Sequence, residues 1–97
     1  MHGPRDWLVN PTDFGTAAPI RLRTGDPTAR AHARLCHDAV LAVNAAAGEQ
    51  GWGRRELAEQ LAVNPRYLER KLSGHLPVTL HDLSSWAQVL GFTISIC

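Results

Sequence analysis

The chain has 97 residues, 44% of them hydrophobic and 20% charged, which suits one folded domain and excludes a disordered chain. The net charge of +1 excludes a strongly basic protein, so any contact with nucleic acid must come from basic side chains sorted onto one face. Cys36 and Cys97 do not form a disulfide framework, and no stretch reaches the roughly 18 to 20 apolar residues of a membrane span. We therefore expect a cytoplasmic protein that makes no membrane contact.

Residues 1–26 are predicted to form an N-terminal arm, partly irregular, because prolines and glycines interrupt any helical period. Residues 20–23 of the arm alternate apolar and basic side chains, the pattern of a short strand. Residues 92–96 also alternate, and we expect the two strands to pair within one chain or between two. Part of the arm is expected to pack onto the body because it carries several large apolar side chains: Trp7, Leu8, Val9 and Phe14.

The remaining domain, 27–97, is predicted to begin with a long helix over residues 27–47. Asp26 can accept hydrogen bonds from the free N–H groups of the first turn, and Pro27 suits the first helical position. Apolar residues then recur at helical spacing. Gly48 can adopt the left-handed conformation and is expected to end this helix.

Two short helices are predicted next, over residues 54–62 and 65–73. Asn64 supplies the cap of the second one, Pro65 starts it, and Gly74 ends it. A tight turn joins the two helices, and the second is basic.

The last predicted helix covers residues 80–90. Thr79 and Asp82 resemble a capping box, and Gly91 stops the helix. Trp52 and Trp86 are expected in the core. The buried face of this helix is predicted to consist of Leu80, Leu83, Trp86, Ala87 and Leu90. The predicted fold class is mainly α, with short β-strands near the N-terminal arm and the C-terminus.

This order of elements is typical of a helix-turn-helix and carries a more specific resemblance. Residues 53–64 resemble the helix-turn segment of the lambda-repressor and Cro-like family, also called the Xre family. Residues 68–74 resemble the exit of its recognition helix, and residues 77–91 fit its next helix. Ala62 stands in the turn where that family usually has Gly. The resemblance implies a four- to five-helix lambda-repressor-like domain that binds double-stranded DNA as a homodimer.

The resemblance also implies that the helix over residues 65–73 enters the major groove. Leu68 and Leu72 are one turn apart and face the core, and a step of about 100° per residue places Arg66 and Arg70 on nearly the opposite side. Arg66 is the first candidate for reading a base, since a guanidinium can bond both acceptors of guanine. The complete set of expected DNA contacts is Arg54, Arg55, Asn64, Arg66, Tyr67, Glu69, Arg70, Lys71 and His75.

Arg54 and Arg55 begin the preceding helix and are expected to hold phosphates rather than read bases. Arg54 stands where the family often has Gln. The leading hypothesis is therefore a sequence-specific transcriptional regulator, a repressor, that binds a short palindromic operator. The alternative is a helix-turn-helix protein-interaction module, or an antitoxin-type regulator that binds a partner protein through its arm and terminal strand.

Metal binding and catalysis have less support. His32, Cys36 and His37 lie close together on the first helix, but no second Cys/His pair completes a four-ligand set. No nucleophile elbow or phosphate-cradling glycine loop is present. We expect neither an enzyme nor a metal or other cofactor.

Overall fold

The computed structural model describes residues 3–91. Short 3-10 turns at Pro4–Trp7 and Pro11–Asp13 precede four α-helices, which confirms the mainly α class, and the Cα radius of gyration is 12.9 Å. No helix in this part of the chain is long and apolar enough to cross a membrane. The helices are α1 (Pro27–Gln50), α2 (Arg54–Gln60), α3 (Pro65–Leu72) and α4 (Leu80–Leu90).

Three of the helices begin at the caps that the sequence predicts. The Asp26 side chain accepts a hydrogen bond from the first turn of α1, and Asn64 Oδ1 accepts one of 2.9 Å from the first turn of α3. At α4 the capping box is complete, because the Asp82 N–H donates to Thr79 Oγ1 and the Thr79 N–H donates to Asp82 Oδ2. The residue types at these positions therefore determine where the helices start.

The end predicted for α1 is wrong by about one turn. Gly48 lies inside the helix, and Gly51, with φ of 73°, takes the left-handed conformation instead. The Gly51 N–H donates to the carbonyl of Gly48 and the Trp52 N–H to that of Ala47, the two hydrogen bonds of a Schellman ending. A glycine inside a helix costs only about 1 kcal/mol, so the extra turn is tolerated and brings Trp52 against the core.

The core lies between all four helices and the arm. Val40 and Val43 of α1 are fully buried, and side chains from the other helices and the arm complete the cluster. Both predictions for tryptophan are confirmed: Trp86 is buried, and Trp52 packs against the cluster. Leu80 is wrongly predicted, since it is 72% exposed.

The exposure of Leu80 follows from the direction of the buried face of α4. That face is centred on Asp82, Leu83 and Trp86, about 110° around the helix axis from Leu80. Ala87 and Leu90 are half-buried at its margin.

Within residues 3–26, the arm forms a single antiparallel bridge, between Leu8 and Leu22, instead of the strand predicted over residues 20–23. Only three residues separate the two 3-10 turns, which leaves no room for a longer ladder. Leu22 therefore pairs with Leu8, whereas the sequence pattern predicts pairing of its strand with residues 92–96. The strand predicted over residues 92–96 lies outside the described residues.

The arm is nevertheless part of the fold, as its apolar content predicts. Leu8 is fully buried, and Phe14 packs edge-on to the His37 ring with 5.9 Å between centroids. The arm also passes closely over the end of α3, where the Arg5 N–H donates to the Gly74 carbonyl at 3.2 Å. A Cβ at Gly74, where φ is 84°, would lie 2.7 Å from Arg5 Cβ, so the approach requires glycine.

Candidate nucleic-acid interface

Helix α3 presents one face to the core and the other to solvent, as its sequence predicts. Leu68 and Leu72 are 2% and 3% exposed. Arg66 and Arg70 lie on the exposed face together with Glu69. Two inward leucines therefore fix the side of the helix that the arginines occupy.

An open groove runs between the start of α2 and the exposed face of α3. It contains four arginines and one acidic residue, so basic side chains are concentrated there although the whole chain is nearly neutral. Six of the nine predicted contacts line this groove. The lining consists of Arg54, Arg55, Pro65, Arg66, Glu69, Arg70, Ser73 and His75.

Arg54 is held at the edge of the groove by two side chains. Its Nη1 donates to Asn44 Oδ1 at 2.7 Å, and its Nε lies 3.3 Å from Glu69 Oε2. Asn44 in turn donates from Nδ2 to the carbonyl of Gly15 in the arm at 3.4 Å. Arg54 and Glu69 are both about half exposed, so their ion pair contributes at most about 1 kcal/mol. The contacts orient the guanidinium more than they stabilise the fold.

The structure corrects the prediction for Lys71, which is 3% exposed and lies away from the groove. Its ammonium donates to the Asp82 carboxylate and lies 4.7 Å from the centroid of the Tyr67 ring. The physical reason is rotation about the helix axis: position 71 lies about 60° from Leu68 and about 100° from Leu72, on the inward side.

In the Lys71–Asp82 pair, each side chain shifts the pKa of the other. Burial acts to lower the pKa of Lys71, but the hydrogen bond and charge of Asp82, with a further effect of Tyr67, outweigh it and raise that pKa. Burial acts to raise the pKa of Asp82, but the hydrogen bonds from Lys71 and Thr79 outweigh it and lower that pKa. Both groups are therefore charged at neutral pH.

Asn64 and Tyr67, two other predicted contacts, do not line the groove. The Asn64 side-chain oxygen is used by the cap of α3. Tyr67 is 45% exposed, and its ring covers the Lys71 ammonium. Asn64 therefore has the capping role that the sequence predicts, and Tyr67 has a structural role that the sequence did not predict.

His75 lies at the exit of α3, where the groove meets the arm. Its Nδ1 is 2.7 Å from Ser73 Oγ, and its Nε2 is 3.4 Å from Arg5 Nη1. The sequence did not predict a role for Arg5 or for Asn44. Both depend on how the arm packs, and no local pattern encodes that path.

The three candidate metal ligands of α1 do not converge. Cys36 Sγ is 3.6 Å from His32 Nε2, whereas His37 Nδ1 accepts a hydrogen bond from the Gly15 N–H at 2.8 Å. Burial raises the pKa of the Cys36 thiol, which disfavours the thiolate that a metal requires. Within residues 3–91, no group of three or more metal-binding side chains is present.

No family model, no curated protein and no solved structure matches this chain.

Proposed function

We propose that this protein is a sequence-specific DNA-binding transcriptional regulator, a repressor with a lambda-repressor-like helix-turn-helix. It inserts α3 into the major groove and binds a palindromic operator as a homodimer. The observation that supports the proposal is the groove itself, where four arginines face solvent with a single glutamate. Polyanionic DNA is the partner that matches this concentration of positive charge.

The charged residues at the two helix starts and Glu69 have different proposed tasks. Arg66, in the first turn of α3, reads a guanine through its two acceptors. Arg54 and Arg55, at the start of α2, hold phosphates and so position α3. Glu69 pairs with Arg54 at 3.3 Å in the free protein and can accept a hydrogen bond from a cytosine amine in the complex.

The charge of the groove favours DNA over the protein-interaction alternative. A surface that binds an apolar or basic partner segment should be apolar or acidic, and the exposed face of α3 is neither. The partner-protein hypothesis depends on the arm and the terminal strand, and the arm packs Leu8 and Phe14 into the core instead of presenting them to a partner.

The direct experiment is selection of duplexes from a random pool, followed by fluorescence anisotropy on the selected sequence. Arg66→Ala should relax the preference at one base pair by about 1 to 3 kcal/mol. Arg54→Ala should weaken selected and random duplexes equally and lower the salt slope by about 1. Arg34→Ala is the matched control, because Arg34 is exposed on α1 and does not line the groove.

DNA binding and dimer formation are tested by separate measurements. If no duplex is enriched over the random pool at moderate salt, the protein is not a sequence-specific DNA-binding protein. The homodimer is tested separately by analytical ultracentrifugation. A monomer at high micromolar concentration would contradict a preformed dimer.

A further inference from the structure

The N-terminal arm places an arginine at the end of the basic groove. The Arg5 N–H donates to the Gly74 carbonyl, and Gly3 approaches the same segment so closely that a Cβ there would lie 2.3 Å from the Gly74 oxygen. The backbone of the arm is thus fixed against the exit of α3. Arg5 therefore extends from a fixed backbone, which lowers the entropy cost of binding a ligand.

A relay of hydrogen bonds orients the Arg5 guanidinium. Ser73 Oγ lies 3.2 Å from the Arg70 carbonyl oxygen and 2.7 Å from His75 Nδ1. The tautomer with its proton on Nδ1 places a lone pair on Nε2, which lies 3.4 Å from Arg5 Nη1 and can accept from it. The exit of α3 therefore controls the direction of a side chain that belongs to the arm.

The charge of Arg5 is not neutralised by any residue in the described part of the chain. Arg5 takes part in neither of the ion pairs Arg54–Glu69 and Lys71–Asp82. A guanidinium has five N–H donors, and the relay uses one of them. The remaining donors are available to a planar or tetrahedral oxyanion beside a groove that is already basic.

We infer that Arg5, with His75 and Ser73, forms a phosphate-binding subsite for the DNA backbone at the exit of α3. The inference rests on the proposed function, since it assigns the subsite to a backbone phosphate flanking the operator bases. The subsite reads no sequence. It adds one charge-assisted contact and makes the arm part of the DNA-binding surface.

The test is the salt dependence of duplex binding by the full chain, measured by anisotropy on the selected and a random duplex. Arg5→Ala should weaken both duplexes by the same factor, on the order of tenfold, and lower the log–log salt slope by about 0.9. Arg5→Lys should retain the slope because it keeps the charge. Arg21→Ala is the control: Arg21 is an exposed arm residue that lies beside Val9 instead of the groove.

The outcomes separate the inference from the proposed function. If wild type binds the selected duplex and Arg5→Ala changes affinity and slope no more than Arg21→Ala does, the subsite is wrong and the proposed function stands. If wild type binds no duplex, both are wrong. Thermal melting of Arg5→Ala serves as the folding control, and its midpoint should stay near wild type because the backbone bond to Gly74 is retained.

Discussion

Lys71 of α3 and Asp82 of α4 form an ion pair in which both side chains are buried. The same Asp82 carboxylate accepts the Thr79 N–H and so completes the capping box of α4. One buried carboxylate therefore joins the candidate recognition helix to the start of the next helix. Removal of either partner leaves an uncompensated buried charge, which typically costs about 3 to 5 kcal/mol.

Lys71→Met is therefore expected to lower the free energy of unfolding by about 3 to 5 kcal/mol, measured by urea denaturation. The slope of DNA affinity against salt should not change, because Lys71 does not line the groove.

Lys71 is also the only lysine in the sequence, so its burial can be tested without mutation. An amine-acylating reagent should label Lys71 slowly in the native protein and rapidly in urea; equal rates would contradict the buried pair.

The contrast between Arg70 and Lys71 shows what the sequence could and could not predict. The leucine spacing of α3 predicts which side is buried, and Arg66 and Arg70 lie on the opposite side as expected. Position 71 lies at the margin of the buried stripe, and a lysine there is ordinarily exposed. Its burial depends on Asp82, whose sequence context indicates only a cap.

The arm marks a second limit of sequence-based prediction. Its apolar residues indicate that it packs, but the contacts that fix its path are long-range and involve single atoms. The Asn44 side chain contacts the Gly15 carbonyl in the arm, and Arg5 meets His75 seventy residues away. No periodicity or turn signal in one sequence encodes such pairs. The helix starts were predictable because a cap is local.

The true end of α1 leads to opposite predictions for two neighbouring glycines. Gly48 is helical and a Cβ there meets no atom within 4 Å, so Gly48→Ala should stabilise the protein by about 0.5 to 1 kcal/mol. Gly51 has φ of 73°, so Gly51→Ala should destabilise it by about 1 kcal/mol. Urea midpoints of the two variants measure both effects. The opposite pair of signs would place the helix end at Gly48.

The turn between α2 and α3 is strained at Ala62, which has φ of 57° and is the only described non-glycine residue with positive φ. The Ala62 N–H donates to the Glu59 carbonyl and the Val63 N–H to that of Ala58, a Schellman ending that favours glycine. The left-handed conformation costs an alanine roughly 1 to 2 kcal/mol, and glycine loses about 0.5 to 1 kcal/mol in backbone entropy.

Ala62→Gly should therefore stabilise the protein by about 0.5 to 1 kcal/mol, measured as a rise in the thermal midpoint. Ala46→Gly, at a helical position inside α1, is the matched control and should destabilise. A lower midpoint for Ala62→Gly would show that the turn does not require the left-handed conformation.

His37 should make the attachment of the arm sensitive to acid. Its Nδ1 accepts the Gly15 N–H at 2.8 Å, and burial is the main cause that lowers its pKa. Protonation would place an N–H against the Gly15 N–H, so the neutral ring is the form that holds the arm. Because the folded pKa is below the unfolded value of about 6.5, the stabilisation is complete above that value and is lost as the pH falls below it.

His37→Asn separates this effect from the other titrating groups, since the amide oxygen can accept the same Gly15 N–H and does not titrate in this range. We expect the free energy of unfolding of wild type to fall more steeply than that of His37→Asn between about pH 7 and pH 5. Urea denaturation at several pH values measures both slopes. Parallel slopes would show that protonation of His37 does not oppose folding.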